Sequence, residues 1–338
     1  MGNSTSHLIT CLGEILFDLL SDNLGASYKK VSSWTSYIGG APANVAIGLS
    51  KLSVPVSFIG RIGEDEGGKE LFQCLKAHHI LLDGVQWDPN CPTRKVYVER
   101  NLYGERNFAG FGNFKSSEFA DTNLNPNQIP WSLIAESRYL VLGTLLMAYP
   151  RSYESVEKTI QFCLENKVEI IMDVNWRPVF WENEALGVET ILKHIGKMDM
   201  IKFSKEEAEL LYKSTDLAVL SKNLPKARVI LVTDGENGCH YKIGSHVGAI
   251  PSFKVRTVDT TGAGDSFLAG FIYQILLLDK ELESIGAEKA FQIIQFASAM
   301  GALTTTGAGA ILPQPNLKKI QLFLASMNGT LPFQPDIL

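Results

Sequence analysis

The sequence predicts an α/β fold, in which a mostly parallel central sheet carries helices on both faces and a small β-sheet stands apart from it. Three observations lead there. Short apolar runs alternate with helical-period segments along most of the chain. Those runs are apolar nearly throughout, as strands buried on both faces are. Two segments in the first third instead alternate polar with apolar residues, as half-exposed strands do. The chain has 338 residues, 45% of them hydrophobic and 20% charged, enough to bury a sizeable core. No internal repeat, low-complexity stretch or long linker divides it. Residues 1–338 are therefore read as one domain bearing a β lid built from about 27–38 and 93–112.

In chain order, "LITCLGEILFDLL" reads as one buried strand. "YKKVSSWTSYIGG" reads as a lid strand, and "GGAPANVAIGLSKLS" as a helix with Val45, Leu49 and Leu52 on one stripe. "VPVSFIG" is a strand and "EGGKELFQCLKAHHI" a helix; "TRKVYVERNLYGERNFAGF" supplies the rest of the lid. Four further strands follow in "RYLVLGT", "VEIIMDVN", "MIKFS" and "RVILVTDG", with helices in "SYESVEKTIQFCLENK" and "KEEAELLYK". "CHYKIGSHVGAIP" is a hairpin turning at Gly244. The run after Gly264, "DSFLAGFIYQILLL", is apolar almost all round, so its helix is buried.

The totals exclude several classes. A net charge of −5 offers nothing to nucleic acid, whose phosphates want a basic stripe. The five cysteines form no C-x-x-C and no zinc-ligand spacing, which points to free thiols in a reducing compartment. No run reaches the ~18 apolar residues a membrane helix needs. "MGNSTSH" lacks the apolar core of a signal peptide; it fits the myristoylation pattern at Gly2, or is a loose tail. The expected location is cytoplasmic.

Three glycine-rich or polar clusters carry the chemistry. In "DTTGAGDSF", glycines precede a buried helix whose first N–H groups are unpaired and partly positive, a seat for phosphate. No G-x-x-x-x-G-K-[ST] loop and no early G-x-G-x-x-G turn occurs, which argues against a Walker nucleotide site and a nicotinamide enzyme. Asp265 then has two readings. It complements the helix dipole, or it accepts a proton from a hydroxyl that attacks the bound phosphate. In "GGAPANVA", two glycines let backbone approach a ligand and Asn44 offers both donor and acceptor; the alternative is a turn with Pro42 opening a helix. In "DVNWRP", strand alternation places Asp173, Asn175 and Arg177 on one side at a strand's carboxyl end, where α/β sheets bind ligands; the alternative is a surface salt bridge.

Nearly the whole chain, from "CLGEILFDLL" to "GALTTTGAGAILP", resembles the PfkB (ribokinase-like) family of sugar kinases, and most of all a fructokinase. Two signatures carry this, "IGGAPANVAIGLSKL" and "DTTGAGDSFLAGF", in the right order and at the right separation. The resemblance implies a ribokinase-like three-layer αβα sandwich. It implies transfer of the γ-phosphoryl group of ATP to the terminal primary hydroxyl of D-fructose. Ribokinase and 2-keto-3-deoxygluconate kinase share the motifs, and a catalytically silent scaffold is the reading from another class. Asp265 matches the family's base, and Gly262, Ala263 and Gly264 its anion hole. Asp18, Gly39, Gly40 and Asn44 match sugar-binding positions, Arg106 a lid arginine, Phe108 a neighbour of the sugar, and Arg177 a position near substrate or phosphates. Thr233, Gly235 and Gly238 would line the ATP site, with Ala297 and Gly301 on the helix near the adenine. Many relatives carry N-x-x-E near magnesium; here Ser204 replaces the Asn and Glu207 is kept. The implied cofactors are ATP and Mg²⁺, with K⁺ as a monovalent cation at Asp259 and Thr261, completed by the loop from Thr304 to Gly309. The implied partners are a small sugar and ATP, with a homodimer formed through the lid.

Overall fold

The computed structural model describes residues 7–101, 106–278 and 281–327, and the N-terminal Gly2 lies outside them. The first third runs β1 (Ile9–Leu12), β2 (Leu16–Ser21), β3 (Trp34–Gly39), α1 (Ala41–Lys51), β4 (Val56–Gly63), α2 (Glu66–Ala77), β5 (Leu81–Asp88), β6 (Lys95–Arg100) and β7 (Arg106–Gly110). The middle runs α3 (Trp131–Ala135), β8 (Tyr139–Leu142), α4 (Pro150–Asn166), β9 (Glu169–Asp173), α5 (Glu184–Ile195), β10 (Met200–Ser204), α6 (Lys205–Tyr212), α7 (Leu217–Asn223) and β11 (Val229–Thr233). The hairpin β12 (Cys239–Ile243) and β13 (His246–Ile250) follows, then α8 (Ala263–Leu276), α9 (Ala287–Thr304) and α10 (Leu317–Ser326).

The large sheet has the order β13-β12-β11-β10-β9-β8-β1-β4-β5. It is parallel from β11 to β5, and only the hairpin at one edge is antiparallel. Its strands are buried on both faces because their residues alternate between two cores. Tyr139, Val141, Ile171, Met200, Val229 and Leu231 pack with α1, α8 and α9 on one face. Leu140, Leu142, Ile170, Met172, Ile201, Ile230 and Val232 pack with α4, α5, α6 and α7 on the other. This is the three-layer arrangement expected from strands that are apolar nearly throughout.

The small sheet has the order β3-β2-β6-β7. One expectation is corrected here: "LITCLGEILFDLL" is two strands in two sheets. β1 pairs with β4 and β8, whereas β2 pairs with β3 and β6. The chain leaves the large sheet at Gly13, whose N–H still bonds to the Ile59 carbonyl at 2.9 Å. Asp18 therefore ends no strand of the main sheet but lies within the small one. Gly244 turns the β12–β13 hairpin with φ +57°, as expected.

Candidate active site

A cavity of about 560 Å³ opens where the carboxyl ends of the parallel strands face the small sheet, a size typical of small-molecule sites. Gly262, Gly264 and Asp265, at the start of α8, line it. Gly262 caps the helix with φ +74°, and a Cβ there would lie 2.7 Å from that of Ala310, so glycine is required by both conformation and space. Ala263 is the first residue of the helix. Behind it α8 is buried through Ser266, Phe267, Leu268, Ala269, Gly270, Phe271 and Ile272, which sets its amino-terminal turn at the cavity; the Ala263 N–H there bonds to the Thr260 carbonyl at 3.3 Å.

Asp265 Oδ2 accepts a 2.8 Å hydrogen bond from Asn44 Nδ2. Asn44 lies one turn into α1, so the two glycine-rich segments meet at this bond. Burial pushes the Asp265 carboxyl up to about 6; the charge of Asp173 adds to the shift, while Asn44, Lys202 and Arg177 oppose it. A carboxylate so raised suits proton transfer near neutrality.

Lys202, on β10, was read only as a strand residue. It lines the cavity, and its Nζ donates to Asp173 Oδ1 and Oδ2 at 2.8 and 3.0 Å. Burial acts to lower the ammonium, but the Asp173 and Glu207 carboxylates outweigh it and hold it above its ordinary value. A Cβ on Gly264 would lie 3.2 Å from Nζ, so this cation sits against the anion-binding turn. Asp173 thus serves Lys202. Asn175 and Arg177 do line the cavity, but Asn175 adopts φ +40°, which ends the strand alternation assumed for the three. Arg177 Nη1 donates to the Trp176 carbonyl at 2.9 Å.

Glu14, in the turn between β1 and β2, also lines the cavity and was likewise not singled out by the sequence. Asp18, Gly40 and Asn44 also line the cavity, with Leu16, Val96, Val98 and Phe108 as its apolar wall. Gly39 supports Asp18 without lining the cavity itself, since a Cβ would fall 2.6 Å from Asp18 Oδ2. Gly40 has φ +105°, and a Cβ would lie 2.5 Å from the Glu14 carbonyl oxygen. Arg106 opens β7, but its side chain lies outside the described residues.

The expected nucleotide residues are dispersed. Thr233 lines the cavity, and its hydroxyl donates to the Phe203 carbonyl at 3.1 Å. Gly235 (φ +50°) faces open space. Gly238 (φ +104°) is needed for packing, because a Cβ would lie 2.0 Å from the Ile250 carbonyl oxygen. Ala297 is fully buried, and its Cα lies against Gly270 of α8. It offers no surface to a ligand in this conformation, contrary to its placement near an adenine. Gly301 packs under the Ala263 carbonyl, which fixes α9 against the start of α8.

Metal donors fit in different degrees. Ser204 and Glu207 form a capping box at the start of α6. Glu207 Oε2 accepts the Ser204 N–H and Oε1 the Trp176 N–H, each at 2.7 Å. Both oxygens are engaged, which suits Mg²⁺ held through its own waters, as this ion prefers. Asp259 Oδ1 accepts from the Thr261 N–H and hydroxyl at 3.0 and 2.7 Å, and Oδ2 from the Gly309 N–H at 2.8 Å. The carboxylate binds the segment before the anion hole to the loop from Thr304 to Gly309, whose Thr305 carbonyl accepts the Val258 and Asp259 N–H groups. An all-oxygen set of this kind, carboxylate and carbonyl, is of the donor type a K⁺ ion takes.

Residues 6–317 match the family model described as pfkB family carbohydrate kinase. The chain is 32% identical over 317 residues to fructokinase-2 of Solanum habrochaites, covering 93% of this chain and 95% of that protein. It is 32% identical over 313 residues to fructokinase-1 of Zea mays, covering 91% and 95%. The crystal structure of fructokinase with bound ATP from Xylella fastidiosa superposes with a TM-score of 0.86 at 26% identity, covering 96% of this chain and 99% of that one. Among the described residues no helix is long and apolar enough to cross a membrane.

Proposed function

The chain belongs to the pfkB family of carbohydrate kinases, and within it we propose an ATP-dependent fructokinase that phosphorylates the terminal primary hydroxyl of D-fructose. One observation carries the proposal. Asp265, its carboxyl raised to about 6, lies at the amino terminus of a buried helix, bonds to Asn44 and faces a cavity that Asp18 and Gly40 also line. A hydroxyl held between them loses its proton to Asp265 as its oxygen attacks the γ-phosphorus; the bond to the bridging oxygen breaks and ADP leaves. The amides of Gly262–Gly264 and the Lys202 ammonium stabilise charge on the transferred group. Mg²⁺, held through Glu207, would supply further charge neutralisation. Residues 258–261 and 304–309 would hold K⁺ and order the anion hole.

The acidic side chain of Asp18 in the cavity disfavours a sugar acid as substrate, and intact Asp265 and glycines disfavour a silent scaffold. The small sheet, with Phe108 on its cavity side, would act as a lid that excludes water from the transfer. Trp34 and Tyr97 of that sheet, packed on each other and on Tyr28 from the turn before β3, would serve a homodimer contact; a monomeric mass by light scattering counts against this. Five unpaired thiols support a cytoplasmic setting. The test of substrate is a coupled assay with fructose, glucose, ribose, adenosine and 2-keto-3-deoxygluconate. Fructose is expected to have the highest kcat/KM. A tenfold preference for ribose or the keto acid refutes the fructose assignment, and inactivity toward all five refutes the kinase reading.

A further inference from the structure

Two stretches of chain cross beneath the cavity. One is Gly13–Ile15, where the chain passes from β1 to β2, and the other is Gly40–Pro42, where β3 gives way to α1. Both need glycine to come so close: a Cβ on Gly13 would lie 2.2 Å from Pro42 Cγ, and one on Gly40 2.5 Å from the Glu14 carbonyl oxygen. Glu14 stands at the crossing, only 2% exposed. Its Oε1 accepts the N–H of Ala41 at 2.9 Å. Ala41 is the first residue of α1, and the cap residue Gly40 has no side chain to offer that helix. Glu14 therefore caps α1 from a different part of the chain.

One turn further along α1 is Asn44. Its N–H bonds to the Gly40 carbonyl at 2.8 Å, and its Nδ2 donates to Asp265 Oδ2. Glu14, Ala41, Asn44 and Asp265 thus form one mechanical series. Glu14 Oε2 and Asn44 Oδ1 are buried and make no hydrogen bond among the described residues. The Asn44 side chain is accordingly aligned by Asp265, and the Glu14 carboxyl by Ala41 together with Glu14's own backbone N–H.

We infer that Glu14 is a positioning residue for phosphoryl transfer: a strut that sets the start of α1 and, through Asn44, the orientation of Asp265. The inference rests on the kinase reading above. Glu14 could instead act on Asp265 by its charge, and the two roles differ in sign. The charged groups facing Asp265 are Asp173 on β9, Arg177 just after it, Lys202 on β10 and Glu14; those facing Glu14 are Asp121 and Asp265. Burial pushes the Glu14 carboxyl up to about 8, so near pH 7 it is mostly a neutral acid whose loss removes a hydrogen bond and little charge. Loss of a strut loosens the Asn44 bond that holds Asp265 down, and Asp265 titrates higher. Loss of a negative charge makes it titrate lower.

The experiment is a ¹³C NMR titration of the Asp265 carboxyl in the full chain, with sugar-kinase kinetics beside it. Asn44→Ala sets the scale, an upward shift of about one to two pH units for one lost hydrogen bond to a carboxylate. Glu14→Ala is expected to shift Asp265 upward by about half a unit or more, with kcat falling about tenfold or more and KM for ATP unchanged within about twofold. Glu14→Gln, which keeps the Oε1 acceptor, restores the parent titration. Glu14→Asp keeps the carboxyl group but withdraws the acceptor by one methylene; it shifts Asp265 upward and covers the case in which Glu14→Ala does not fold. A downward shift, or a parent titration and parent kcat in Glu14→Asp or Glu14→Ala, overturns the strut. A parent chain that phosphorylates no sugar overturns the kinase reading, and with it the premise of the inference.

Discussion

Gly264→Ala distinguishes a phosphate-binding turn from a mere helix start, because the two roles predict different outcomes. Gly264 is the second residue of α8, and its φ lies outside the left-handed region, so alanine can adopt its backbone. Replacing glycine at such a site stabilises by about 0.4–1 kcal/mol, chiefly by restricting the unfolded chain. With an unfolding entropy of about 2.1 cal/mol/K per residue, a chain this long gains only about 1 °C in Tm. The new Cβ would meet Lys202 Nζ at 3.2 Å and Cε at 3.5 Å, close enough that the lysine end must yield slightly on its Asp173 anchor. Stability should therefore stay within about 2 °C of the parent. The methyl group, however, occupies the space through which a phosphoryl oxygen approaches the amide, and losing one such donor costs about 10²–10³ in kcat. Turnover measured by coupled ADP release, beside Tm by scanning fluorimetry, decides the matter. Parent-like turnover, or a Tm loss of many degrees with activity falling in step, refutes the reasoning. Gly262→Ala is the contrasting control, because its positive φ and the 2.7 Å approach to Ala310 make it destabilising.

Three further outcomes are expected. The kcat/KM for sugar should rise with pH through an apparent value near 6, since Asp265 accepts a proton only when ionised; at pH 5 it should have fallen about tenfold, and a flat profile from pH 5 to 7.5 contradicts this. Lys202→Met leaves Asp173 buried without its partner, so stability should fall by about 3–5 kcal/mol and the acid limb should move to higher pH; adding Asp173→Asn should recover Tm but not turnover, and recovery of both would show that Lys202 only balances Asp173. Replacing Na⁺ by K⁺ at constant ionic strength should raise kcat through the segments joined by Asp259, and no response removes the cation from the account.

The fold was legible because its central strands are apolar nearly throughout, and that pattern has few explanations other than a sheet covered on both faces. The same property hid the break at Gly13. Only Gly13 and Glu14 interrupt the apolar run from β1 into β2, too short a break to mark the passage to a second sheet; pairing with β3 and β6 does so. Asp265, Asn44 and the glycines were legible because small residues before a buried helix restrict what the backbone can do there. Lys202 left a weaker trace, a single cation in an otherwise apolar strand. Its meaning depends on Asp173, which lies directly across from it on the neighbouring strand, and strand order is a long-range property. Glu14 is similar, since its partner Ala41 lies 27 positions away. Ala297 shows the opposite failure: motif position suggested a ligand contact, whereas the close packing of α8 on α9 consumes its whole surface.

The most direct test of the account is the turnover of Asp265→Asn with fructose, ATP and Mg²⁺. The substitution keeps the shape and removes the proton acceptor, while leaving the α8 amides and Lys202 in place. The account predicts a fall in kcat of about 10²- to 10⁴-fold with ATP affinity retained. Turnover within a few-fold of the parent would contradict it, because Asp265 would then be no more than a helix-dipole partner.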